Sequence, residues 1–318
     1  LPRDGVDFNR SRPYPVPVRI AHALLPPSAV APGRAAALGL VLAILASCAH
    51  APPGPPAPAP RLLRVATWNI LFLNLDLPRV ASDILASDAD VVMMQEVTDE
   101  AVEALDPLLA AAYPHRRWAG EFGLVSRLPL FWDVYVEGEY RRRGVQIAAL
   151  DAGDEDGHRT VLLANVHLEA QVLESPHPAA VVEVLERTER THLDELTTVM
   201  RRLDDRFPHV IAGDFNSLPA YGSRKLLLRR GYLDAADEAA FWPPTTWADD
   251  AIFGIPAWLR IDYVYVKGGL EPVAVEARDS PASDHHLLLV DLLVPTGRRR
   301  QMGPLDPAGG AKSLESRP

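Results

Sequence analysis

Six short stretches of this chain place an acid, an amide or an imidazole at the edge of an apolar run. Asn69 follows Val65-Ala66-Thr67-Trp68, Glu96 follows Val91-Val92-Met93-Met94-Gln95, and His167 follows Leu163-Ala164-Asn165-Val166. Asp214 and Asn216 follow Val210-Ile211-Ala212 and Gly213. Asp262 precedes Tyr263-Val264-Tyr265-Val266, and Asp284-His285 precede Leu287 to Val290. Carboxylates and amides suit a hard cation, and imidazole moves protons near neutral pH. One polar strand end is commonplace, because Asp, Asn and Gly are also ordinary turn residues. Six with metal and proton-transfer chemistry imply convergence on one site.

Such residues need strands to carry them. On an extended segment, positions i and i+2 point the same way, so Asp214 and Asn216 project together beyond the strand 208–216. Gly213 lets the backbone turn or be approached closely there. Strands are also expected over 61–70, 91–97, 143–152, 159–169, 260–268 and 285–294, with a Gly/Asp-rich hairpin at 153–157. Helical spacing marks 77–90 and the long amphipathic stretch 180–203, and "EVTDEAVEAL" reads as a helix after Glu96. Mixed elements of this kind predict an α/β or α+β layered domain over residues 62–295.

The chain has 318 residues, 48 % of them hydrophobic, and 42 acidic against 32 basic side chains give a net charge of −10. That balance argues against a surface coated for non-specific nucleic-acid binding. A single cysteine excludes an intramolecular disulfide framework and any multi-thiolate metal site. A metal here is therefore expected on oxygen or imidazole, which favours Mg²⁺ or Mn²⁺.

The cysteine sits at a telling place. "GRAAALGLVLAILASCAH" carries an apolar run from Ala35 to Ala46, too short for a comfortable membrane span and matching a signal-peptide core. Leu45-Ala46-Ser47-Cys48 resembles a bacterial lipobox, which implies lipidation of Cys48 and a lipid-anchored location in the cell envelope, facing the periplasm or exterior. Residues 1–47 are then an extension and signal peptide, and 48–61 a proline-rich linker. Residues 296–318 have little to bury and read as a disordered tail.

Taken in order, "TWNI", "MQEV", "NVHLE", "GDFN", "RIDYVYV" and "SDHH" resemble the endonuclease/exonuclease/phosphatase superfamily, the DNase I-like proteins. The resemblance covers nearly all of residues 62–295. It implies a four-layer α/β/β/α sandwich of two mainly antiparallel sheets, with the site at one edge. It implies metal-assisted hydrolysis of a phosphoester, with Glu96 binding the metal and Asn69 serving as ligand or orienting group. By the same resemblance, His285 is the general base, held by Asp262, and Asp214 and Asn216 orient water and bind phosphate. Asp284 binds metal or holds a water, and His167 contacts the phosphate or serves the leaving group. His286 would face away from the site.

The substrate is less sharply drawn. Arg141, Arg142 and Arg143 precede a strand, and Arg143 is the candidate phosphate clamp, although a solvated basic turn reads the same way. Thr246-Trp247, and "HLEA" with Arg190 downstream, resemble the tyrosyl-DNA phosphodiesterase branch. A phosphodiester in nucleic acid or a phospholipid head group, hydrolysed by a membrane-tethered monomer, is the expectation. A phosphomonoesterase, a sphingomyelinase-like lipid phosphodiesterase and a non-catalytic binding module are the competing readings. The sequence shows neither a long basic surface nor an apolar insertion of the sort that dips into a bilayer.

Overall fold

The computed structural model describes residues 60–138, 143–153, 157–171, 177–252 and 255–295. Cys48, the signal-like segment 1–47, most of the proline-rich linker, Arg141, Arg142, the middle of the 153–157 hairpin and the tail 296–318 lie outside the described residues.

Two six-stranded sheets make the centre. The first runs β13 (Glu271–Arg278), β14 (Leu287–Val294), β1 (Arg61–Asn69), β2 (Val91–Gln95), β4 (Phe122–Ser126) and β3 (His115–Ala119). The second runs β5 (Leu130–Val136), β6 (Val145–Asp151), β7 (Thr160–His167), β8 (His209–Asp214), β12 (Asp262–Lys267) and β9 (Leu233–Asp234). Each sheet holds a single parallel pair, β1 with β2 and β7 with β8, and its other pairings are antiparallel. A separate ribbon pairs β10 (Trp247–Ile252) with β11 (Ile255–Leu259).

Period-two alternation makes the layers. Val65 and Met93 point inward, where they meet Ala148, Leu163, Val210 and Val264 of the second sheet. Ala66, Trp68, Val92 and Met94 point outward, against α1 (Leu77–Ser87) and α2 (Asp99–Leu109) through Val80, Ile84, Leu105 and Leu109. On the far side, Ile147, Ala164 and Ile211 pack against Leu196 and Val199 of α3 (Pro178–Arg202). Three apolar spaces separate four layers, so strands with both faces buried read as nearly continuous hydrophobic runs. Each such fully buried aliphatic side chain contributes roughly 1.5–3 kcal/mol.

Local chemistry sets the helix ends. Asp76 accepts the Arg79 N–H to start α1, and Asp88 closes it in the left-handed region at φ 54°. Thr98 accepts the Ala101 N–H to start α2, so the helix predicted after Glu96 begins at Asp99, three residues past the acid. Short α4 (Gly222–Arg229) and α5 (Ala235–Ala239) complete the described helices. No described helix is long and apolar enough to cross a membrane.

Candidate active site

Strand register puts the site residues side by side. His167 at the end of β7 pairs with Asp214 at the end of β8, and Asp214 pairs in turn with Asp262 at the start of β12. In the other sheet Asn69 pairs with Gln95, which leaves Glu96 one residue beyond the strand. Gly213 is indispensable to this register: a Cβ there would sit 1.8 Å from the Val166 carbonyl oxygen of the neighbouring strand. Its φ of 148° also lies outside the range of L side chains. Of the two uses the sequence allows for this glycine, close approach is the one realised.

Asn69 joins the sheets. Its Nδ2 donates to Glu96 Oε1 at 3.0 Å and to Asp214 Oδ2 at 3.1 Å, while its Oδ1 accepts the Leu71 N–H at 3.1 Å. The amide thus holds two carboxylates together and has its own carbonyl engaged, which makes it an orienting group. Glu96 Oε2 takes the Phe72 N–H at 2.7 Å. Glu96 and Asn216 both have left-handed backbones, at φ 60° and 46°, strain of the kind that gathers at working sites. Asn216 donates its backbone N–H to Asp214 Oδ1 at 2.8 Å and its side-chain N–H to Leu168 O at 3.0 Å.

Two imidazoles flank the same acid. His167 Nε2 lies 3.5 Å and His285 Nε2 3.7 Å from Asp214 Oδ2. His285 Nδ1 meets Asp262 Oδ2 at 3.0 Å, and both residues are buried. The backbone N–H groups of Ile261 and Asp262 converge on Thr246 Oγ1, at 3.1 and 2.9 Å. Trp68 Nε1 donates to the His285 carbonyl, and Ser283 Oγ to the Asn69 carbonyl, fixing the loop before β14 against β1.

Electrostatics follows from this crowding. Burial lowers the His285 pKa, but the charges of Asp262 and Asp214 outweigh it and push the ring up to about 10. Burial raises the Asp262 pKa, against the pull of His285. Both groups are thus shifted toward their protonated forms.

The cluster fits a divalent cation through its donor set: two carboxylates held by one amide, with imidazoles on either side. Asp214, Asp262 and His285 also offer ligand atoms within 4.8 Å of one another. The hydrogen bond between His285 and Asp262 engages that pair, while Asn69 gathers Glu96 and Asp214 as a second donor set. Asp284 stands apart from both: its carboxylate is exposed and accepts the Trp247 indole N–H at 2.9 Å. His286 turns away, with Nε2 3.6 Å from Asp279.

Arg143 adjoins the site without being bare. Its Nη1 lies 2.6 Å from Glu121 Oε2 and 2.9 Å from His167 Nδ1, and Glu121 Oε2 lies 3.1 Å from the same ring nitrogen. Burial tends to raise the Glu121 pKa, but His167 and Arg143 together bring it below the ordinary value. Sequence reasoning passed over Glu121. Ala119-Gly120-Glu121-Phe122 is a two-residue hairpin turn, with Gly120 at φ 59°, and the turn was readable. That its tip reaches His167 was not.

Behind the site lies a fully buried polar cluster. Gln95 Nε2 donates to Thr67 Oγ1 at 3.0 Å and to Asn165 Oδ1 at 2.6 Å, across the gap between sheets. Asn165 Nδ2 returns to the Met94 and Gly123 carbonyls at 3.0 and 3.2 Å. Each member stands one or two residues before Asn69, Glu96 or His167, so the cluster sets how the two sheets' site residues face one another.

Comparison with known proteins agrees with this architecture. An endonuclease/exonuclease/phosphatase from Beutenbergia cavernae is similar at 25 % identity and TM-score 0.54, over 74 % of this chain and 72 % of that one. A humanized D. rerio TDP2 carrying 14 mutations shares the fold at 17 % identity and TM-score 0.55, covering 73 % of this chain and 99 % of that one. D. rerio TDP2 complexed with a single-strand DNA product is similar at 15 % identity and TM-score 0.54, with coverage of 73 % and 99 %. No curated protein matches the sequence. The family model described as Endonuclease/Exonuclease/phosphatase matches residues 66–285, more than half of the chain. With its two packed sheets and the ordered acids, amides and imidazoles at their edge, the chain belongs to the endonuclease/exonuclease/phosphatase family.

Proposed function

We propose that the chain hydrolyses a phosphodiester with the help of a divalent metal ion, Mg²⁺ or Mn²⁺. The observation that carries this reading is the Asn69 amide, which draws Glu96 and Asp214 to about 3 Å on either side of it, between two imidazoles. Glu96 and Asp214 would hold the ion. Once bound, it would polarise a phosphoryl oxygen, offset the charge growing in the transition state, and offset the Asp214 charge, which together with the larger effect of Asp262 raises the His285 pKa.

His285, with Nδ1 fixed on Asp262, then offers Nε2 as the base that takes a proton from water. Asp262 keeps the ring in that tautomer, and Thr246 keeps Asp262 in place. His167, on the other side of Asp214, faces the phosphate. Arg143, tied to Glu121, supplies positive charge behind that ring. Asn216 holds Asp214 from below. D. rerio TDP2, which shares the fold, is recorded with a single-strand DNA product, and DNA is a phosphodiester chain. Membrane attachment through Cys48 remains part of the same proposal.

Hydrolysis of bis(p-nitrophenyl) phosphate against p-nitrophenyl phosphate, with Mg²⁺ and then with EDTA, tests this. Mg²⁺-dependent diester cleavage is expected. A monoester-only signal replaces it with a phosphomonoesterase, and silence on both leaves a binding module.

A further inference from the structure

Two apolar segments, far apart in sequence, border the loop that carries His285. The first is Leu71 to Leu75, with Phe72 59 %, Leu73 74 % and Leu75 99 % exposed. It is bound to the site through the Phe72 N–H on Glu96, and through Asn74 Nδ2, which donates to the Ala282 carbonyl at 2.5 Å. The second comprises Phe241, Trp242 and Trp258, exposed by 91 %, 80 % and 67 %. Trp258 pairs with Ala248, whose N–H donates to the Asp284 carbonyl at 3.1 Å, and Trp247 bridges to His285. Phe241 and Trp242 stack edge to face a few residues before Thr246, which holds Asp262. Leaving so many large side chains in water is costly, and contiguous exposed apolar groups mark interaction surfaces.

Charge narrows what covers them. Residues 70–77, 240–248 and 280–286 contain no lysine or arginine, while Asp76 and Asp284 contribute negative charge. Nucleic-acid backbones are held by several phosphate-neutralising cations; among the described residues beside these segments, Arg79 is paired with Asp83 and Arg260 with Asp234 and Asp237. Leucines offer no stacking platform for bases, whereas leucine and phenylalanine flanked by tryptophan match the depth profile of a bilayer's outer edge. The rim surrounds the approach to buried carboxylates, so its occupant has to deliver substrate as well as cover apolar surface. A protein partner seated there would block the approach; a lipid surface carries phosphodiesters in its head groups.

We propose that this rim docks on a zwitterionic phospholipid surface and that the substrate is a lipid phosphodiester presented there. The inference rests on the phosphodiesterase reading and deepens it.

The test uses the full chain with vesicles of phosphatidylcholine brominated on the upper acyl chain, reading tryptophan quenching, so that attachment through residues 1–59 does not register. Quenching is expected in the wild type, to fall at least twofold in Trp242→Phe/Trp258→Phe, and to vanish in Leu73→Ser/Leu75→Ser. Cleavage of soluble bis(p-nitrophenyl) phosphate should stay unchanged in both variants, showing that they fold. No quenching in a wild type that cleaves the soluble diester overturns the docking and leaves the phosphodiesterase reading intact. Failure of the wild type on the soluble diester removes the phosphodiesterase reading itself. Protection of these tryptophans by a single-stranded oligonucleotide, lost in Trp242→Phe/Trp258→Phe, overturns the lipid assignment in favour of nucleic acid.

Discussion

His285 Nδ1 stands 3.0 Å from Asp262 Oδ2, with both residues buried, and this contact turns the ring's other nitrogen toward Asp214 at 3.7 Å. Replacing Asp262 by Asn preserves size and removes the charge that selects the tautomer. Asp262→Asn is expected to lower kcat by about 10²- to 10⁴-fold, with KM little changed and the circular dichroism spectrum intact. A kcat within twofold of wild type would remove Asp262 from the mechanism.

Glu96 and Asp214 share one amide, so losing either carboxylate should weaken the cation more than the fold. In the wild type, a cation at a hundred times its Kd adds about 2.7 kcal/mol of stability, which shows as a rise in Tm. Glu96→Gln is expected to abolish most of that Mg²⁺-dependent rise and to raise the titrated Kd at least tenfold. An unchanged Kd places the ion elsewhere.

Buried histidines set the acid side of the stability curve. Burial depresses the pKa of both His192 and His209, despite carbonyl contacts that favour the charged ring. Below pH about 6.5 the unfolded chain takes up protons that these rings resist, so stability is present above that value and lost as pH falls. His285 has the opposite sign: its raised pKa stabilises the metal-free fold below pH about 6.5, and that contribution disappears as pH rises through about 10. Urea unfolding between pH 7 and 5 should show a shallower decline for His192→Gln, by up to about 1.4 kcal/mol per pH unit. Parallel curves for variant and wild type refute the assignment.

Gly213→Ala sets a methyl group against the Val166 backbone, which cannot swing aside as a side chain does. A loss of about 3 kcal/mol or more is expected in urea unfolding, along with separation of His167 from Asp214. A stable, active Gly213→Ala protein would contradict the β7–β8 register.

The polar cluster between the sheets should behave as a unit. Asn165→Leu leaves the Gln95 amide short of a partner, at a cost of about 1–3 kcal/mol. The double variant Gln95→Leu/Asn165→Leu is expected to lose less than the sum of the single changes. Strict additivity would mean that the two amides act independently.

Much of the fold was readable because alternation and helical spacing are local. Strands 61–70, 159–169 and 208–216 appear as Arg61–Asn69, Thr160–His167 and His209–Asp214, and the helix expected at 180–203 runs Pro178–Arg202. The hairpin β3–β4, strands β5, β9 and β13 and the ribbon β10–β11 were missed: β3, β5 and β13 are partly exposed edge strands that carry charge, and β9 is only two residues long. Among site residues, Asn69, Glu96, His167, Asp214, Asn216, Asp262 and His285 do come together, whereas Asp284 turns outward to Trp247. Arg143 arrives paired with Glu121, a residue 22 positions away that no local pattern connects to it. The expected lack of an apolar insertion also gives way. Past the strand expected over 61–70, Leu71 takes a left-handed backbone at φ 69° and the chain leaves the sheet with its leucines exposed.

Residue type and spacing alone determined which side chains could bind a cation or carry a proton, and which end of each strand bears them, because those properties belong to a few neighbouring residues. Only the tertiary structure decided that His167, Asp214 and Asp262 lie abreast, that Asn69 bridges Glu96 to Asp214 across two sheets, and that an uncharged apolar rim borders them. Those relations depend on strand order, register and sheet packing, which arise from contacts between residues far apart in the chain, such as Trp68 with His285 across 217 positions, and leave no periodic trace along the chain.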